Sequence, residues 1–408
     1  MRFRASWMKS LLRHTAGWPA LSVTLVLWSG LWLTAMATRS RADENQGPAG
    51  DSVTAGPTVT YEDDGWPDLS RFMDKPYGFL PILSPITEPA VGYGVYGGPA
   101  FVSKPAGEER AGFGRPNITF AGGAWTENNT WLAMGEDDRQ WLNDRLQTIL
   151  VMGYGTIHLE FHGIGEDAIL RDNPLDYSLT PLALLAKAKY RLGQSCFWVG
   201  LGYQWAKMVS EFDFPDQFTN LPDIRRDSYI GGVLPLLNYD SRDNIFTPSH
   251  GTNIELSGGL FSDALGGDAG FQLATLTVIQ YVAASSRVTV GLRGDGFASF
   301  NDVPFYMYPA ISLRGAPAQT YQGEEVAQGE LEVRWQFWKR FSAIGFGGYG
   351  AAWNDLEHLD NAVDVVTGGG GFRYELARKY DVHAGVDVAW APDGVAIYVQ
   401  FGNAWMWK

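Results

Sequence analysis

The feature that most constrains the fold of this chain is a strict alternation of apolar and polar residues in short segments. In residues 382–390 one set of alternate residues is Val, Ala, Val, Val and Trp, and the other is His, Gly, Asp and Ala. Segments 288–295 and 395–401 repeat the pattern. Successive side chains of a β-strand point to opposite faces, so each segment predicts a strand with one apolar face. Because such segments recur from residue 77 to the C-terminus, separated by turn residues, we predict an all-β chain.

The first residues favour a membrane barrel over a soluble β-sandwich, which alternates in the same way. Basic residues are spread through segment 1–19, segment 20–36 is apolar, and Ala35-Met36-Ala37 supplies small residues at the spacing of a cleavage site. This order predicts a secretory signal peptide at residues 1–37, which is removed. The alternative is a retained anchor helix, but the apolar run is just short of the roughly 20 residues that span a membrane.

Composition and strand length favour a barrel in the outer membrane of a Gram-negative bacterium. The chain has 49 glycines and 14% aromatic residues but only 19% charged residues, which suits tight turns and aromatic girdles. We predict a transmembrane antiparallel β-barrel of about sixteen strands at residues 78–408, with its apolar face towards lipid and a wet, polar lumen. The strand count starts from Thr87, and the first candidate strand is the glycine-rich segment 92–98. Residues 38–77 are polar and rich in turn formers, and we predict a disordered periplasmic lead-in there.

Charge and motif content argue against several functions. The net charge of -14 disfavours nucleic-acid binding, which needs a basic surface. The single cysteine, Cys196, excludes an internal disulfide and a site with several thiolates. No Gly-x-Ser-x-Gly elbow and no P-loop sequence occurs, so we predict no enzyme activity and no cofactor. His158, Glu160 and His162 share one strand face, but a polar row facing the lumen is a commoner cause than a metal site, so no metal is predicted.

Two motifs stand out from the alternating segments. Leu313-Arg314-Gly315 lies in a stretch without periodicity that is bounded by prolines and glycine, and alternation resumes at residues 330–337, with Glu332 on the polar face. The second motif is in segment 239–251, where Asx side chains and a Pro/Gly pair indicate a tight turn. Its key residues are Asp240, Arg242, Asp243, Pro248 and Gly251.

Together with the closing hairpins at residues 368–407, these motifs resemble the bacterial surface antigen family, the BamA/TamA-type outer-membrane barrels. The resemblance implies that the loop carrying Arg314 and Gly315 lies between strands eleven and twelve, folds into the lumen, and places the arginine against Glu332. Gly348 and Gly350 stand where many members have an aspartate, so one of two expected anionic partners is missing. The Asp240–Gly251 motif resembles a periplasmic turn of the family, between strands eight and nine.

The resemblance also implies a function, namely assembly or translocation, in which proteins or lipids are inserted at or exported through the outer membrane. The expected partners are outer-membrane lipids and unfolded outer-membrane or exported protein clients. The lead-in is too short for a POTRA module, so the resemblance is to the barrel alone. In the family the first and last strands form a weak seam, and Gly402 is a candidate kink in the last strand. The alternative function is a plugged or passive pore for small solutes.

Overall fold

A computed structural model of the chain describes residues 60–61, 65–70, 78–103, 117–165, 170–171, 173–212, 224–354 and 361–405. The predicted signal peptide and most of the predicted lead-in lie outside these residues. A single sheet of sixteen antiparallel strands forms a barrel, and each strand pairs with the next strand in the sequence. The barrel strands are β1 Gly78–Glu88, β2 Gly92–Ser103, β3 Asn117–Thr126, β4 Trp131–Trp141, β5 Leu146–Phe161, β6 Leu175–Arg191, β7 Phe197–Phe212, β8 Ile224–Asp240, β9 Gly251–Phe261, β10 Phe271–Ser285, β11 Val288–Asn301, β12 Glu325–Trp338, β13 Phe341–Trp353, β14 Val363–Ala377, β15 Val382–Ala391 and β16 Gly394–Phe401.

The other regular elements are short. Residues Asp263–Leu265 and Arg378–Tyr380 form single 3-10 turns, and Thr60–Tyr61 pairs with Pro67–Asp68 outside the barrel. Among the described residues, no helix is long and apolar enough to cross a membrane.

The alternation in sequence becomes an outward and an inward face. In β12 the outward residues Leu331, Val333 and Trp335 are exposed, whereas Glu330 and Glu332 on the other face are buried. An outward apolar band around a closed sheet is the arrangement of a barrel in lipid. The predicted fold class and the strand count are confirmed.

The first strand differs from the prediction. It spans Gly78–Glu88, whereas the glycine-rich segment beginning at Gly92 is the second strand. Pro81 and Pro85 hid this strand in the sequence, because proline is tolerated in a sheet only at an edge, at the first residue of a strand or at a bulge. The inward loop, residues 302–324, still lies between β11 and β12, and the predicted turn, residues 241–250, lies between β8 and β9. We call the two ends of the barrel the loop end and the turn end after these segments.

A wet, polar lumen was predicted, but the lumen is polar only in part. At the loop end many inward side chains are apolar, and they form one buried cluster with residues of the inward loop. The cluster includes Ile157, Leu159, Phe161, Tyr177, Leu179, Met208, Phe212, Val303, Phe305, Tyr306 and Met307. Towards the turn end the lumen is polar, and Asp138 accepts hydrogen bonds from Gln140 at 3.0 Å and Gln147 at 2.9 Å. The polar row was also misplaced, because the alternation puts the buried residues 157, 159 and 161 inward and His158 and Glu160 on the outer face.

Part of the predicted lead-in contacts the turn end. Asp68 forms an ion pair with Arg340 at 2.6 Å, and both side chains are buried. Trp66 makes edge-to-face contacts with Trp338 and Phe341. Residues 65–70 are therefore held against the periphery of β12 and β13.

Candidate functional site

The candidate site is the point where the inward loop meets the lumen wall. Arg314 lies 2.8 Å from Glu332 and 3.0 Å from Asp387, and it also pairs with Glu330. Its guanidinium stacks over the ring of Phe346, 3.7 Å from the ring centroid. Only 8% of the arginine side chain is exposed, so these contacts are made away from bulk water, where charge-assisted hydrogen bonds are strong.

Arg314 belongs to a larger buried network of charges. Arg293 pairs with Asp295 and lies 3.7 Å from Glu330, while Arg373 lies 2.6 Å from Asp387. Arginines and carboxylates therefore alternate through this network. Glu332, which pairs with Arg314, lies at its edge. Such networks fix one geometry, because removing a member leaves a buried charge without its partner.

The structure places predicted and unpredicted residues in this site. The predicted pair Arg314–Glu332 lies within contact distance. Glu330 and Asp387 were not among the predicted partners. Glu330 was visible in the sequence, since it shares the polar face of β12 with Glu332. Asp387 lies on the polar face of β15, and no local pattern connects it to a loop 73 residues away.

Gly348 and Gly350, where the resemblance led us to expect an aspartate, have a steric role. A Cβ atom on Gly350 would lie 2.7 Å from Cγ2 of Ile311, and one on Gly348 would lie 3.1 Å from a methyl group of Leu313. The two glycines thus form a groove in β13 that receives the aliphatic side chains of the loop. The missing carboxylate is replaced by apolar contact, and Asp387 supplies the second anion.

Gly315 allows the loop backbone to approach β15 closely. Its φ of +98° lies in the region that favours glycine, and a Cβ atom would lie 3.1 Å from the carbonyl group of Trp390. The Gly315 N–H donates to the Tyr398 hydroxyl at 3.0 Å. Further along the loop, the Ala318 N–H donates to the Glu88 carboxylate at 2.9 Å. The loop is therefore bound to strands on both sides of the junction between β1 and β16.

The Asp240–Gly251 motif forms a turn that folds over the turn end. Arg242 pairs with Asp240 at 2.8 Å, and the Asp243 carboxylate accepts from the Ser249 N–H at 3.0 Å. The Pro248 carbonyl accepts from Arg334 at 3.2 Å, and Gly251 has a φ of +107°.

The same turn holds the C-terminal segment in place. Gly402, with a φ of +72°, ends β16, and the chain then bends inward. Asn403 donates through its side chain to the carbonyl of Phe246 at 2.9 Å, and it accepts from the Tyr281 hydroxyl at 2.9 Å. Trp405 is buried against Tyr281, in space left by a glycine of β11. Gly402, predicted as a kink in the last strand, lies just after that strand and directs residues 403–405 into the lumen.

No family model and no curated protein matches this chain. Solved structures do match it. BamA from Haemophilus ducreyi lacking POTRA domains 1-3 aligns with a TM-score of 0.51 at 13% identity, over 79% of this chain and 68% of that one. CdiB from Escherichia coli aligns with a TM-score of 0.54 at 9% identity, over 77% of this chain and 60% of that one.

The chain has the fold of the BamA-type barrels. At these identities the likeness establishes the architecture, and the resemblance inferred from the motifs is confirmed at that level.

The barrel closes through a seam unlike its other strand junctions. In the described residues no ladder joins β1 to β16, although every other pair of neighbouring strands forms one. The Thr87 hydroxyl bridges the two strands, donating to the Ile397 carbonyl and accepting from the Ile397 N–H at 3.2 Å. Pro81 and Pro85 each remove a backbone donor from β1. The seam is therefore the least hydrogen-bonded junction of the described barrel.

Proposed function

We propose that this protein inserts protein clients into the outer membrane or translocates them across it. The observation that carries the proposal is the seam between β1 and β16, where a side-chain hydroxyl stands in place of a ladder. An edge strand with unpaired backbone groups is a template for another β-strand. A client strand would find at this seam the donors and acceptors that lipid does not supply.

The closed lumen supports a role at the seam rather than through a central channel. The inward loop is bound by the Arg314 network, and apolar side chains fill the loop end around Phe305. Water and ions cross a barrel through a polar lumen. An apolar cluster at one end therefore disfavours free passage of small solutes.

A plugged pore is the second candidate function. The polar lumen near Asp138 at the turn end favours it, because such a surface suits hydrated solutes. This function would require the inward loop to move. A plugged pore predicts that ion conductance rises when the inward loop is released, whereas client insertion requires no ion conductance.

The proposed setting follows from the outward apolar band. Residues such as Leu331 and Trp335 would contact outer-membrane lipids, and the clients would be unfolded outer-membrane or exported proteins. The role is non-enzymatic and needs no cofactor, since client insertion is driven by burial of apolar strands in lipid and by backbone pairing.

Deletion of the gene, followed by quantification of outer-membrane proteins and lipids, tests the proposal. We expect selective loss of a set of barrels or surface proteins and its recovery when the wild-type gene is restored. An unchanged protein and lipid content, with altered permeability to small solutes, would contradict client insertion and favour the pore. The restored strain is the control for effects on neighbouring genes.

A further inference from the structure

The hairpin between β14 and β15 brings one imidazole and two carboxylates together at the turn end. Glu375 lies directly opposite His383 in the ladder between these strands, and Asp381 precedes His383 by two residues. One potential ligand atom from each of the three residues lies within 4.8 Å of the others. Imidazole nitrogen and carboxylate oxygen are the donors that bind divalent transition metal ions in proteins.

His383 is only partly satisfied in this arrangement. The residue is 5% exposed, and its Nε2 lies 3.0 Å from a carboxylate oxygen of Asp381. Its Nδ1 is buried and has no hydrogen-bond partner in the described part of the chain. A cation held together with the Asp381 carboxylate would bind the imidazole through Nε2, because Nε2 is the nitrogen that faces that carboxylate.

In the part of the chain that the structure describes, neither carboxylate forms an ion pair with an arginine, although the charges of Arg378 and Arg340 act favourably on Glu375. Among the described residues, Glu375 has no ion-pair partner within 4.0 Å, and the ion-pair partner of Asp381 is His383. Three guanidinium groups close to the cluster are bound elsewhere: Arg340 to Asp68 at 2.6 Å, Arg373 to Asp387 at 2.6 Å and Arg334 to the Pro248 carbonyl at 3.2 Å. The cluster therefore keeps two carboxylates beside one imidazole, a combination that favours a cation.

The cluster is also accessible from the turn end. Asp381 lies in the tight turn after the 3-10 residues, and 45% of its side chain is exposed. We propose that Glu375, Asp381 and His383 bind a divalent transition metal ion of the Zn²⁺ class. Three protein ligands leave a fourth position for water or for a group of a partner molecule.

A metal ion here would connect parts of the turn end that are already in contact. The His383 N–H donates to the Thr247 hydroxyl at 3.3 Å, and the His383 carbonyl accepts from the Gly402 N–H at 2.7 Å. The ion would thus tie β14 to β15 beside the turn over residues 241–250 and the C-terminal segment.

Titration of the purified full-length barrel in detergent, stripped with a chelator, tests this site. Co²⁺ serves as a visible probe and Zn²⁺ as its competitor. We expect one equivalent of Co²⁺ to bind with the absorption of a nitrogen and oxygen site, and Zn²⁺ to displace it. Zn²⁺ should also raise the melting temperature, because a ligand that binds only the folded state stabilises it.

Three variants and one matched control make the test specific. Asp381→Asn, Glu375→Gln and His383→Gln should each weaken metal binding by about tenfold or more. Even the loss of a residue that only hydrogen-bonds to a metal ligand lowers metal affinity by about this factor. Asp381→Asn keeps the fold, because asparagine accepts the φ of +49° found at this position. His162→Gln removes a His–Glu pair at the opposite end of the barrel and should leave binding unchanged. Absence of stoichiometric binding, or equal binding in wild type and Asp381→Asn, would overturn the proposal.

Discussion

Arg314 meets carboxylates from two strands of the lumen wall in a nearly water-free position. In Arg314→Ala these carboxylates would lose their shared cation and remain buried. We expect a loss of about 3–5 kcal/mol in the free energy of unfolding, the usual effect of breaking a buried ion pair. A raised single-channel current would accompany it if the loop leaves the lumen.

Thermal or urea unfolding in detergent and planar-bilayer recordings measure these effects. Arg225→Ala is the control, because Arg225 pairs with Glu211 at the surface, where 63% of the arginine side chain is exposed. Its effect should not exceed about 1 kcal/mol. Unchanged unfolding together with unchanged current in Arg314→Ala would refute the latch.

Gly350 provides a second test of loop docking that leaves every charge in place. A methyl group at this position would approach Ile311 to 2.7 Å. Gly350→Ala should therefore destabilise the barrel by about 1–3 kcal/mol through overpacking, measured by urea unfolding. The double variant with Ile311→Ala should recover part of the loss. Gly345→Ala in the same strand is the control, because nothing lies within 4 Å of its added Cβ atom, and an equal loss there would contradict the groove.

At the scale of elements, the turn over residues 241–250 makes a prediction about pH. Burial raises the pKa of the Asp243 carboxyl, but hydrogen bonds from the Ser249 hydroxyl and from the backbone of His250 and Ser249 outweigh it and hold the pKa below its usual value. An acid with a depressed folded pKa stabilises the fold above its unfolded pKa of about 3.9. This contribution is lost as the pH falls through the folded pKa.

Urea midpoints of the wild type and Asp243→Asn, measured from neutral pH down to acid, check this expectation. The difference between the two proteins should be constant near neutrality and should shrink below about pH 4. A difference that stays constant through the acid range would show that the carboxylate charge contributes nothing to the turn.

How well the sequence predicted each element depended on whether its signal was local. Alternation in β12 and the turn chemistry at Asp240–Gly251 are local, and both elements lie where they were expected. β1 was missed because Pro81 and Pro85 contradict strand propensity, and only its edge position makes them acceptable. Asp387 and the groove at Gly350 arise from contacts across the lumen, which depend on barrel closure and leave no mark in neighbouring residues.

The apolar loop end was missed for a related reason. Inward residues of β5 such as Ile157 and Phe161 alternate with the outward residues His158 and Glu160, and a lipid-facing strand shows the same alternation of apolar and polar residues. Only the position of the membrane band along the strand shows whether the apolar face of a segment points to lipid or into the lumen. At 16 residues β5 is longer than the roughly ten that span a bilayer, and its far end projects beyond the band.

At the scale of the whole molecule, the seam determines whether the barrel acts by opening sideways. Thr87 and Ile397 meet across it on the outward face, and the native Cys196 is the single cysteine of the chain. In a Cys196→Ser background, Thr87→Cys with Ile397→Cys would join β1 to β16 when oxidised. If clients insert through the seam, the oxidised variant should fail to restore the outer-membrane proteins lost on gene deletion, and a reductant should restore its activity.

The control for this experiment is a crosslink inside an intact ladder. Val386 and Val399 are register partners in β15 and β16, so Val386→Cys with Val399→Cys adds a disulfide without closing the seam. This variant should support client insertion in both redox states. Full activity of the oxidised Thr87–Ile397 crosslink would exclude lateral opening, because a covalent bond across the seam keeps β1 and β16 together. Clients could then pass only through the loop end, where the Arg314 network and the apolar cluster close the barrel.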